Sequence, residues 1–422
     1  MEAYVINGGK RLVGEVEVAG SKNAALALMS AVVLADGVTT LHNVPDLTDT
    51  QAKAKLIERF GAKVSWQGTS LTIDSRQLAN TEPDGELVSS IRTSFFMMGP
   101  LLARVGHVTM PTPGGCKIGA RPVDFHIKGL TALGADLRLE NGVYHVRADR
   151  LRGAEIYLDF PSPGATQHLM SAAVLAEGCT VIQNAAMEPE VMALAGFLRA
   201  MGGKVEGDGT STITIQGVSQ LGGCEYRVPS DRIQAGTYLL GAAITRGDVT
   251  VRGIIPDHQS PVLSKLRETG CDVMEGHDWV RVSAKGRLKA TRVTTMPYPG
   301  FPTDMQQPMA AFLSTVEGTS VIDELIYEGR IGHVQELNRM GASITQKGQT
   351  SIIDGVKALG GAVVKASDLR AGAALVLAGL AAEGETEVRN IHFIDRGYER
   401  LDTIIRQLGG DMVRGRFADR RL

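Results

Sequence analysis

One loop of the sequence combines side chains and backbone types suited to chemistry on an anionic substrate. The segment 111–127, PTPGGCKIGARPVDFHI, places Cys116 among glycines and prolines, with Lys117 and Arg121 close by. Glycine lets the backbone approach a ligand closely, and proline stiffens the flanks. Nearby cations favour the thiolate form of a cysteine and raise its reactivity. The loop therefore predicts a reactive thiol, with a buried, inert cysteine in a turn as the alternative.

Charged side chains also stand near the starts of apolar, helix-like segments. They are Lys22 beside Asn23, Arg92, Asp231 beside Arg232, Asp304, Asp368 near Arg370 and, before the last helix, Arg396. A helix N-terminus carries unpaired N–H groups and the positive end of the helix dipole, so it attracts anions. Taken singly, each charge is equally explained as a cap or a surface residue. Lys22, Arg92, Arg121 and Arg396 together favour a site for a polyanionic small molecule.

Two residues have both a catalytic and an ordinary interpretation. Asp304 lies in GFPTDMQQP, at a proline-bounded helix start, and is the best candidate for a general base. Its alternative is an N-cap aspartate, which is the commonest use of such a residue. His126 lies in RPVDFHIKGL, where simple packing is favoured over catalysis.

Composition and charge argue against several classes of protein. The 422 residues carry a formal net charge of −2 and no long basic run, which disfavours a nucleic-acid or anionic-membrane surface. The start of the chain lacks the apolar core of a signal peptide, and no run of residues is long and apolar enough to span a bilayer. The four cysteines include no CxxC pair, so neither a zinc site nor a disulfide framework is indicated. We expect a cytoplasmic protein without a metal or another cofactor.

The elements that must position these residues form an internal repeat. Six helix-like segments end in the same way, in RFGAKV, ALGADL, AMGGKV, ETGCDV, RMGASI and QLGGDM. Their glycines recur about every 70 residues, which indicates a repeated structural unit. The third copy has the clearest pattern, with hydrophobic periodicities that read βαβαββ. The repeated glycines are Gly61, Gly134, Gly202, Gly270, Gly341 and Gly409.

The first helix of each copy is apolar on nearly every face, which is typical of a fully buried helix. We therefore expect helices in the cores and sheets outside. Six such units would overfill one core, so the pattern predicts two lobes of three units: 22–229, and 1–21 with 230–422. A hydroxyl side chain is expected to cap each of these helices, and the candidates are Ser21, Ser90, Ser162, Ser230, Thr303 and Ser367.

Four motifs, in order along the chain, carry a resemblance to a known family. They are VAGSKNAALA, PGGCKIGARPVDFH, FPTDMQQP and IDRGYERL. Together with the six-fold repeat they closely resemble the UDP-N-acetylglucosamine 1-carboxyvinyltransferase family of enolpyruvyl transferases, from residue 1 to about residue 415. The resemblance implies an α/β fold of two lobes, each an inside-out α/β barrel (an inverse α/β prism) of three βαβαββ repeats, with the active site in the cleft between lobes.

The same resemblance implies a reaction and its partners. The enolpyruvyl group of phosphoenolpyruvate is transferred to the 3′-hydroxyl of UDP-N-acetylglucosamine and phosphate is released, which is the first committed step of bacterial peptidoglycan synthesis. No nucleic acid, membrane insertion or obligatory protein partner is implied. The glycine-rich loop is expected to close over bound sugar nucleotide, so that phosphoenolpyruvate binds second.

Roles for individual residues also follow from the resemblance. Lys22, Arg121 and Arg396 match the cations that hold phosphoenolpyruvate, and Cys116 matches the proton donor, which can also add covalently to C2. Asp304 takes a proton from the sugar hydroxyl or from C3, and both assignments stay open. The expected contacts of the sugar nucleotide or the intermediate are Asn23, Arg92, Arg121, Pro122, Val123, Asp124, Phe125, Ser162, Pro163, Ile326, Arg330 and Arg370.

The sequence departs from the family pattern at two places, and two other functions compete. Phe160 stands where some members carry a lysine, and Pro163 replaces a small β-branched residue, so nucleotide contacts there are the least secure. One competing function is that of the enolpyruvylshikimate-phosphate synthases, which lack the cysteine loop. The other is a catalytically silent sugar-nucleotide sensor, against which Cys116, Asp304, Lys22 and Arg396 together argue.

Overall fold

The computed structural model describes residues 2–79, 85, 88, 92–113 and 123–416. They form two compact units. The central unit comprises the described residues between Gly20 and Pro229, and the terminal unit comprises residues 2–19 and 230–416. Within the described ranges, no helix has the length and hydropathy needed to cross a membrane.

The central unit contains three sheets around a set of buried helices. Its helices are Lys22–Ala31, Thr48–Arg59, Met98–Val105, Asp124–Ala132, Pro163–Ala173 and Pro189–Ala200, with 3-10 turns at Val32–Leu34 and Arg92–Met97. Its strands are Val38–His42, Lys63–Gln67, Ser70–Asp74, His107–Pro111, Asp136–Glu140, Val143–Arg147, Glu155–Tyr157, Cys179–Gln183, Lys204–Glu206, Thr212–Gln216 and Glu225–Arg227.

The terminal unit repeats this architecture. Its helices are Arg232–Ile244, Ser260–Glu268, Gln306–Leu313, His333–Arg339, Leu369–Ala381 and Leu401–Gln407, with 3-10 turns at Pro256–Gln259, Thr303–Met305 and Ile391–Arg396. Its strands are Glu2–Asn7, Val13–Glu17, Asp248–Arg252, Asp272–Glu275, Trp279–Ser283, Arg292–Thr294, Thr319–Asp323, Ser343–Lys347, Thr350–Asp354, Val363–Lys365, Glu385–Arg389 and Asp411–Arg416.

The sheets share one strand order. In the third repeat, Glu155–Tyr157 pairs in parallel with Cys179–Gln183, which pairs antiparallel with Thr212–Gln216, which in turn pairs with Lys204–Glu206. Four further sheets have the same arrangement, and the described strands of the second repeat form a three-stranded sheet. Parallel neighbours need a crossover connection, and in the third repeat the buried helix Pro163–Ala173 provides it between Glu155–Tyr157 and Cys179–Gln183.

The first helix of each repeat is buried nearly all round, as its sequence predicts. Every residue of Arg232–Ile244 after the first is buried, and so is every residue from Leu369 to Leu380. In Lys22–Ala31 all residues from Ala24 onward are buried. The helices therefore form the core of each unit with the sheets around them, which confirms the inside-out α/β architecture of six repeats, three per unit.

Glycine ends the second helix of each repeat for a conformational reason. All six repeated glycines have φ between 86° and 101°, in the left-handed region that side chains disfavour. The backbone N–H of Gly202, for example, is bonded to the carbonyl of Arg199 in the last turn.

Two of the expected hydroxyl caps are replaced by aspartates. The side chains of Ser21 and Ser162 do accept hydrogen bonds from the first turns of their helices. Asp231 caps Arg232–Ile244 in place of Ser230, and Asp368 caps Leu369–Ala381 in place of Ser367. A carboxylate accepts two backbone N–H groups at once, so it satisfies the helix end more fully than a hydroxyl. At the fifth repeat, Thr303 begins a 3-10 turn and makes no cap.

Candidate active site

An ion cluster in the terminal unit contains three of the predicted site residues. Asp304 lies in the 3-10 turn Thr303–Met305, which leads directly into a buried helix. Its Oδ1 lies 2.8 Å from Nη2 of Arg330, and its Oδ2 accepts from Nε and Nη2 of Arg370 at 3.1 and 3.0 Å. Both arginines are almost fully buried, whereas a quarter of the Asp304 side chain is exposed. The structure therefore presents one accessible carboxylate that two buried cations orient.

Arg370 is fixed from behind by a second chain of hydrogen bonds. Its Nη1 donates to the Tyr398 hydroxyl at 3.2 Å, and that hydroxyl lies 2.8 Å from Thr237 Oγ1. Because Thr237 donates its own hydrogen to the carbonyl of Ile233, Tyr398 must donate to Thr237. Burial lowers the pKa of Arg370, whereas Asp304, Tyr398 and other neighbours raise it. The combined effect of these neighbours is the larger, so the pKa of Arg370 is above its ordinary value. Arg370 stays a cation, and its planar fork holds one orientation.

Ile326 and Arg330 lie on the segment that follows strand Thr319–Asp323. The backbone N–H of Ile326 donates to Glu324 at 2.8 Å, so this part of the segment is tied to a buried carboxylate. Arg330 also lies over the ring of Tyr327, at 5.6 Å from the ring centroid. Arg396 ends the 3-10 turn Ile391–Arg396 and is half-buried.

In the central unit, the predicted residues stand at the starts of helices. Lys22 is the first residue of its helix, and its ammonium lies 3.7 Å from the buried carboxylate of Asp49. Asn23 beside it is exposed, and Arg92 is the half-buried first residue of the 3-10 turn Arg92–Met97.

The remaining predicted contacts of the nucleotide lie at two other helix starts. Val123 is the N-cap residue of helix Asp124–Ala132; Asp124 is exposed in its first turn, and Phe125 packs partly against the core. Ser162 caps the helix that Pro163 begins. Cys116, Arg121 and Pro122 lie outside the described residues.

A buried histidine pair lies next to these helix starts. Nδ1 of His126 and Nδ1 of His168 are 2.9 Å apart, and the backbone N–H of Gly99 donates to Nε2 of His168 at 2.7 Å. His168 therefore carries its hydrogen on Nδ1 and donates it to His126. Burial, then His126 and Lys53, lower the pKa of His168 well below its ordinary value. His168 is therefore neutral at pH 7, and the burial of both rings supports the packing interpretation of His126.

The sequence did not indicate that several residues of these networks belong to the site, and Thr303 was expected only as a helix cap. In the terminal unit, Thr303 accepts a hydrogen bond from Arg330 and donates one to Glu324. In the central unit, Lys53 is buried in helix Thr48–Arg59, and its Nζ donates to the carbonyl of Thr93 at 2.7 Å. A lysine, a glutamate or a threonine in a polar segment has no local signal for burial. For Tyr398 a signal existed, since it lies within the IDRGYERL motif.

A surface cavity of the central unit lies away from the predicted residues. It measures about 580 Å³ and is lined in part by Asp36, Arg104, Arg150 and Gln220. Two of its lining residues, Arg104 and Leu175, lie at or just beyond the C-terminal ends of their helices. The predicted site residues that the structure describes in the central unit lie instead at the N-terminal starts of helices or of a 3-10 turn. Among the described side chains there is no group of three or more acidic, histidine or cysteine residues able to hold a metal ion.

The chain is similar in sequence to known proteins along nearly its whole length. The EPSP synthase (3-phosphoshikimate 1-carboxyvinyltransferase) family matches residues 6–404. The chain is 51% identical to UDP-N-acetylglucosamine 1-carboxyvinyltransferase 3 of Symbiobacterium thermophilum over 414 residues, 98% of each chain. It is 49% identical to UDP-N-acetylglucosamine 1-carboxyvinyltransferase 2 of Carboxydothermus hydrogenoformans over 416 residues, 98% of this chain and 99% of the relative.

Solved structures share the fold. The enolpyruvyl transferase NikO from Streptomyces tendae superposes with a TM-score of 0.89 at 25% identity and 98% coverage of both chains. An EPSP synthase from Acinetobacter baumannii superposes with a TM-score of 0.78 at 20% identity, covering 99% of this chain and 100% of the other. The chain therefore belongs to the EPSP synthase family of enolpyruvyl transferases, within which it is a relative of the UDP-N-acetylglucosamine 1-carboxyvinyltransferases.

Proposed function

We propose that this protein transfers the enolpyruvyl group of phosphoenolpyruvate to the 3′-hydroxyl of UDP-N-acetylglucosamine and releases phosphate, the first committed step of peptidoglycan synthesis. The observation that carries the proposal is the identity of about half of all residues, over nearly the full length, with enzymes named for this activity. The cluster around Asp304 supplies a carboxylate suited to the proton transfers of that reaction.

The reaction is an addition followed by an elimination. The sugar oxygen adds to C2 of phosphoenolpyruvate while a proton is delivered to C3; loss of a C3 proton then restores the double bond as the C2–O bond to phosphate breaks. The hydroxyl proton passes to a base, and the balance requires no redox cofactor. Asp304 is our candidate for that base or for the one that removes the C3 proton, and Cys116 is the candidate proton donor to C3.

Binding of phosphoenolpyruvate requires several cations, because the molecule carries both phosphate and carboxylate. Lys22, Arg121 and Arg396 are the proposed set. Lys22 stands at a helix N-terminus, where backbone N–H groups add to the attraction for an anion. The proposal requires that Lys22 and Arg396, which belong to different units, act on the same pair of substrates.

Arg330 and Arg370 have a role in orienting the candidate base as well as their proposed place beside the sugar. Three of their donor groups are engaged by Asp304, so the carboxylate is held before substrate arrives. Such preorganisation lowers the reorganisation required during the reaction. Cytoplasmic location belongs to the proposal as well, since both substrates are cytoplasmic metabolites.

The test is phosphate release from the purified protein supplied with phosphoenolpyruvate and UDP-N-acetylglucosamine. We expect release that needs both substrates and that falls about 100-fold or more in Cys116→Ala and in Asp304→Asn, which remove proton-transfer groups. Shikimate 3-phosphate replaces the sugar nucleotide in a parallel assay. Release with shikimate 3-phosphate alone would assign the chain to the synthase reaction, and no release above the Cys116→Ala level would indicate a silent sensor.

A further inference from the structure

We infer that Glu324, acting through the hydroxyl of Thr303, is a positioning residue that fixes Arg330 against the candidate base Asp304. The inference rests on the proposed function, which gives Asp304 its catalytic role. It concerns two residues that lie behind the ion cluster.

Glu324 is a buried carboxylate that no cation contacts directly among the described residues. Only 1% of the residue is exposed, yet its side chain accepts four hydrogen bonds. Thr295 Oγ1 and the backbone N–H groups of Ile326 and Tyr327 donate to Oε1 at 2.9, 2.8 and 3.0 Å. Thr303 Oγ1 donates to Oε2 at 2.8 Å.

The hydrogen bond from Thr303 to Glu324 makes the Thr303 hydroxyl oxygen an acceptor toward Arg330. A hydroxyl has one hydrogen and two lone pairs, and the hydrogen of Thr303 is directed to Glu324. Its oxygen is therefore an acceptor, and Nη1 of Arg330 donates to it at 2.9 Å. Nη2 of the same guanidinium is 2.8 Å from Oδ1 of Asp304. Because the guanidinium is planar, holding one amino group sets the direction of the other.

Arg330 needs this support because its remaining contacts are weak. Nε of Arg330 is buried and has no hydrogen-bond partner in the described structure, and the guanidinium lies over the Tyr327 ring in a cation–π contact. By contrast, Arg370, the other arginine that contacts Asp304, has additional support from its hydrogen bond to the Tyr398 hydroxyl. Glu324 also holds the N–H of Ile326, so one carboxylate fixes both a proposed sugar contact and the base.

The experiment compares three substitutions at two threonines. Thr303→Val removes the hydroxyl with little change of shape, Thr303→Ser keeps the hydroxyl, and Thr295→Val removes a bond to the other oxygen of Glu324 without touching Arg330. We expect Thr303→Val to lower kcat about 10- to 100-fold, as loss of a hydrogen bond to a charged group does, with KM for either substrate changed less than about 3-fold. Thr303→Ser should restore kcat to within about 3-fold of the parent.

Thr295→Val separates positioning from folding. It removes the hydrogen bond that Thr295 donates to Glu324 and the one that Thr295 accepts from the backbone N–H of Leu325. It should therefore lower the unfolding temperature at least as much as Thr303→Val while leaving kcat within about 3-fold of the parent. An equal loss of kcat in both valine variants would overturn the inference, because it would show that Glu324 serves only the local fold. An unchanged kcat in Thr303→Val would overturn it as well.

A crystal structure of Thr303→Val tests the inference independently of activity. We expect Arg330 to move away from Oδ1 of Asp304. Retention of the 2.8 Å contact would overturn the inference even if the enzyme proved inactive on the proposed substrates. Absence of phosphate release from the parent protein would instead count against the proposed function alone.

Discussion

At the scale of single residues, the described cysteines are in environments that leave Cys116 as the expected target of an electrophile. Burial raises the pKa of the Cys224 thiol to about 11 and also raises that of Cys271, which is buried. Both remain thiols at neutral pH, and a thiol is a poor nucleophile. Cys179 is exposed at the start of its strand and is the competitor to control.

We predict that a phosphonate epoxide resembling phosphoenolpyruvate alkylates Cys116, and that UDP-N-acetylglucosamine accelerates the labelling. Mass spectrometry of the labelled protein identifies the modified residue, with Cys179→Ala as a matched control that should label normally. Cys116→Asp should lose the labelling yet retain part of the activity, because a carboxylic acid still donates a proton but attacks an epoxide poorly. An adduct mainly on Cys179, Cys224 or Cys271 would contradict the assignment.

At the scale of elements, helix His333–Arg339 places a titratable group in the interior of the terminal unit. His333 is completely buried, and neither of its ring nitrogens has a hydrogen-bond partner in the described residues. Burial lowers its pKa to about 4, an effect that Asp368 opposes and Arg330 reinforces. The unfolded chain therefore binds a proton between about pH 6.5 and pH 4 that the folded chain does not, so the free energy of unfolding falls as the pH falls through this window.

We predict that His333→Leu reduces this acid sensitivity. Between pH 7 and pH 5 the titration of His333 should lower the free energy of unfolding by roughly 2 kcal/mol, and the variant should lack that part of the loss. Urea unfolding at the two pH values measures it. His277→Leu, which removes an exposed histidine of the same unit, is the control and should keep the parental pH dependence. Equal losses in parent and His333→Leu would contradict the prediction.

At the scale of the whole molecule, the N-terminal residues complete sheets of the terminal unit. Glu2–Asn7 lies inside the last sheet, paired antiparallel with both Glu385–Arg389 and Asp411–Arg416. Val13–Glu17 is the parallel edge strand beside Asp248–Arg252. The described residues of the central unit instead come from one stretch of the chain, between Gly20 and Pro229. Its last strand, Glu225–Arg227, pairs in parallel with Val38–His42 of the same stretch. The terminal unit therefore depends on strands more than 230 residues away in sequence from their partners.

We predict that the fragment 20–229 folds alone, whereas 230–422 does not until the peptide 1–19 is added. Without that peptide the last sheet lacks an interior strand, so the backbone groups of the two neighbouring strands have no partners. The core of the fragment also lacks the buried side chains of Tyr4 and Ile6. Circular dichroism and amide exchange of the two fragments, with and without the peptide, measure this. A peptide in which Tyr4 and Ile6 are both replaced by serine is the control and should not restore folding. Independent folding of 230–422 would contradict the prediction.

The sequence by itself determined the repeat, the buried helices and the family, because these depend on local signals. Apolar residues on every face of a helix indicate burial wherever the helix packs, and glycine is required where φ is positive, as at Gly202. The motifs that contain Lys22 and Asp304 are likewise contiguous stretches of residues.

Only the tertiary structure decided which charges meet and which polar groups are buried. Asp304 contacts Arg370, 66 residues later, and Thr303 connects Glu324 to Arg330. Lys53 and His168 are buried although their side chains are polar. The partner of a charge and the burial of a polar group depend on contacts between segments far apart in the chain, and no local pattern of residue types encodes such contacts.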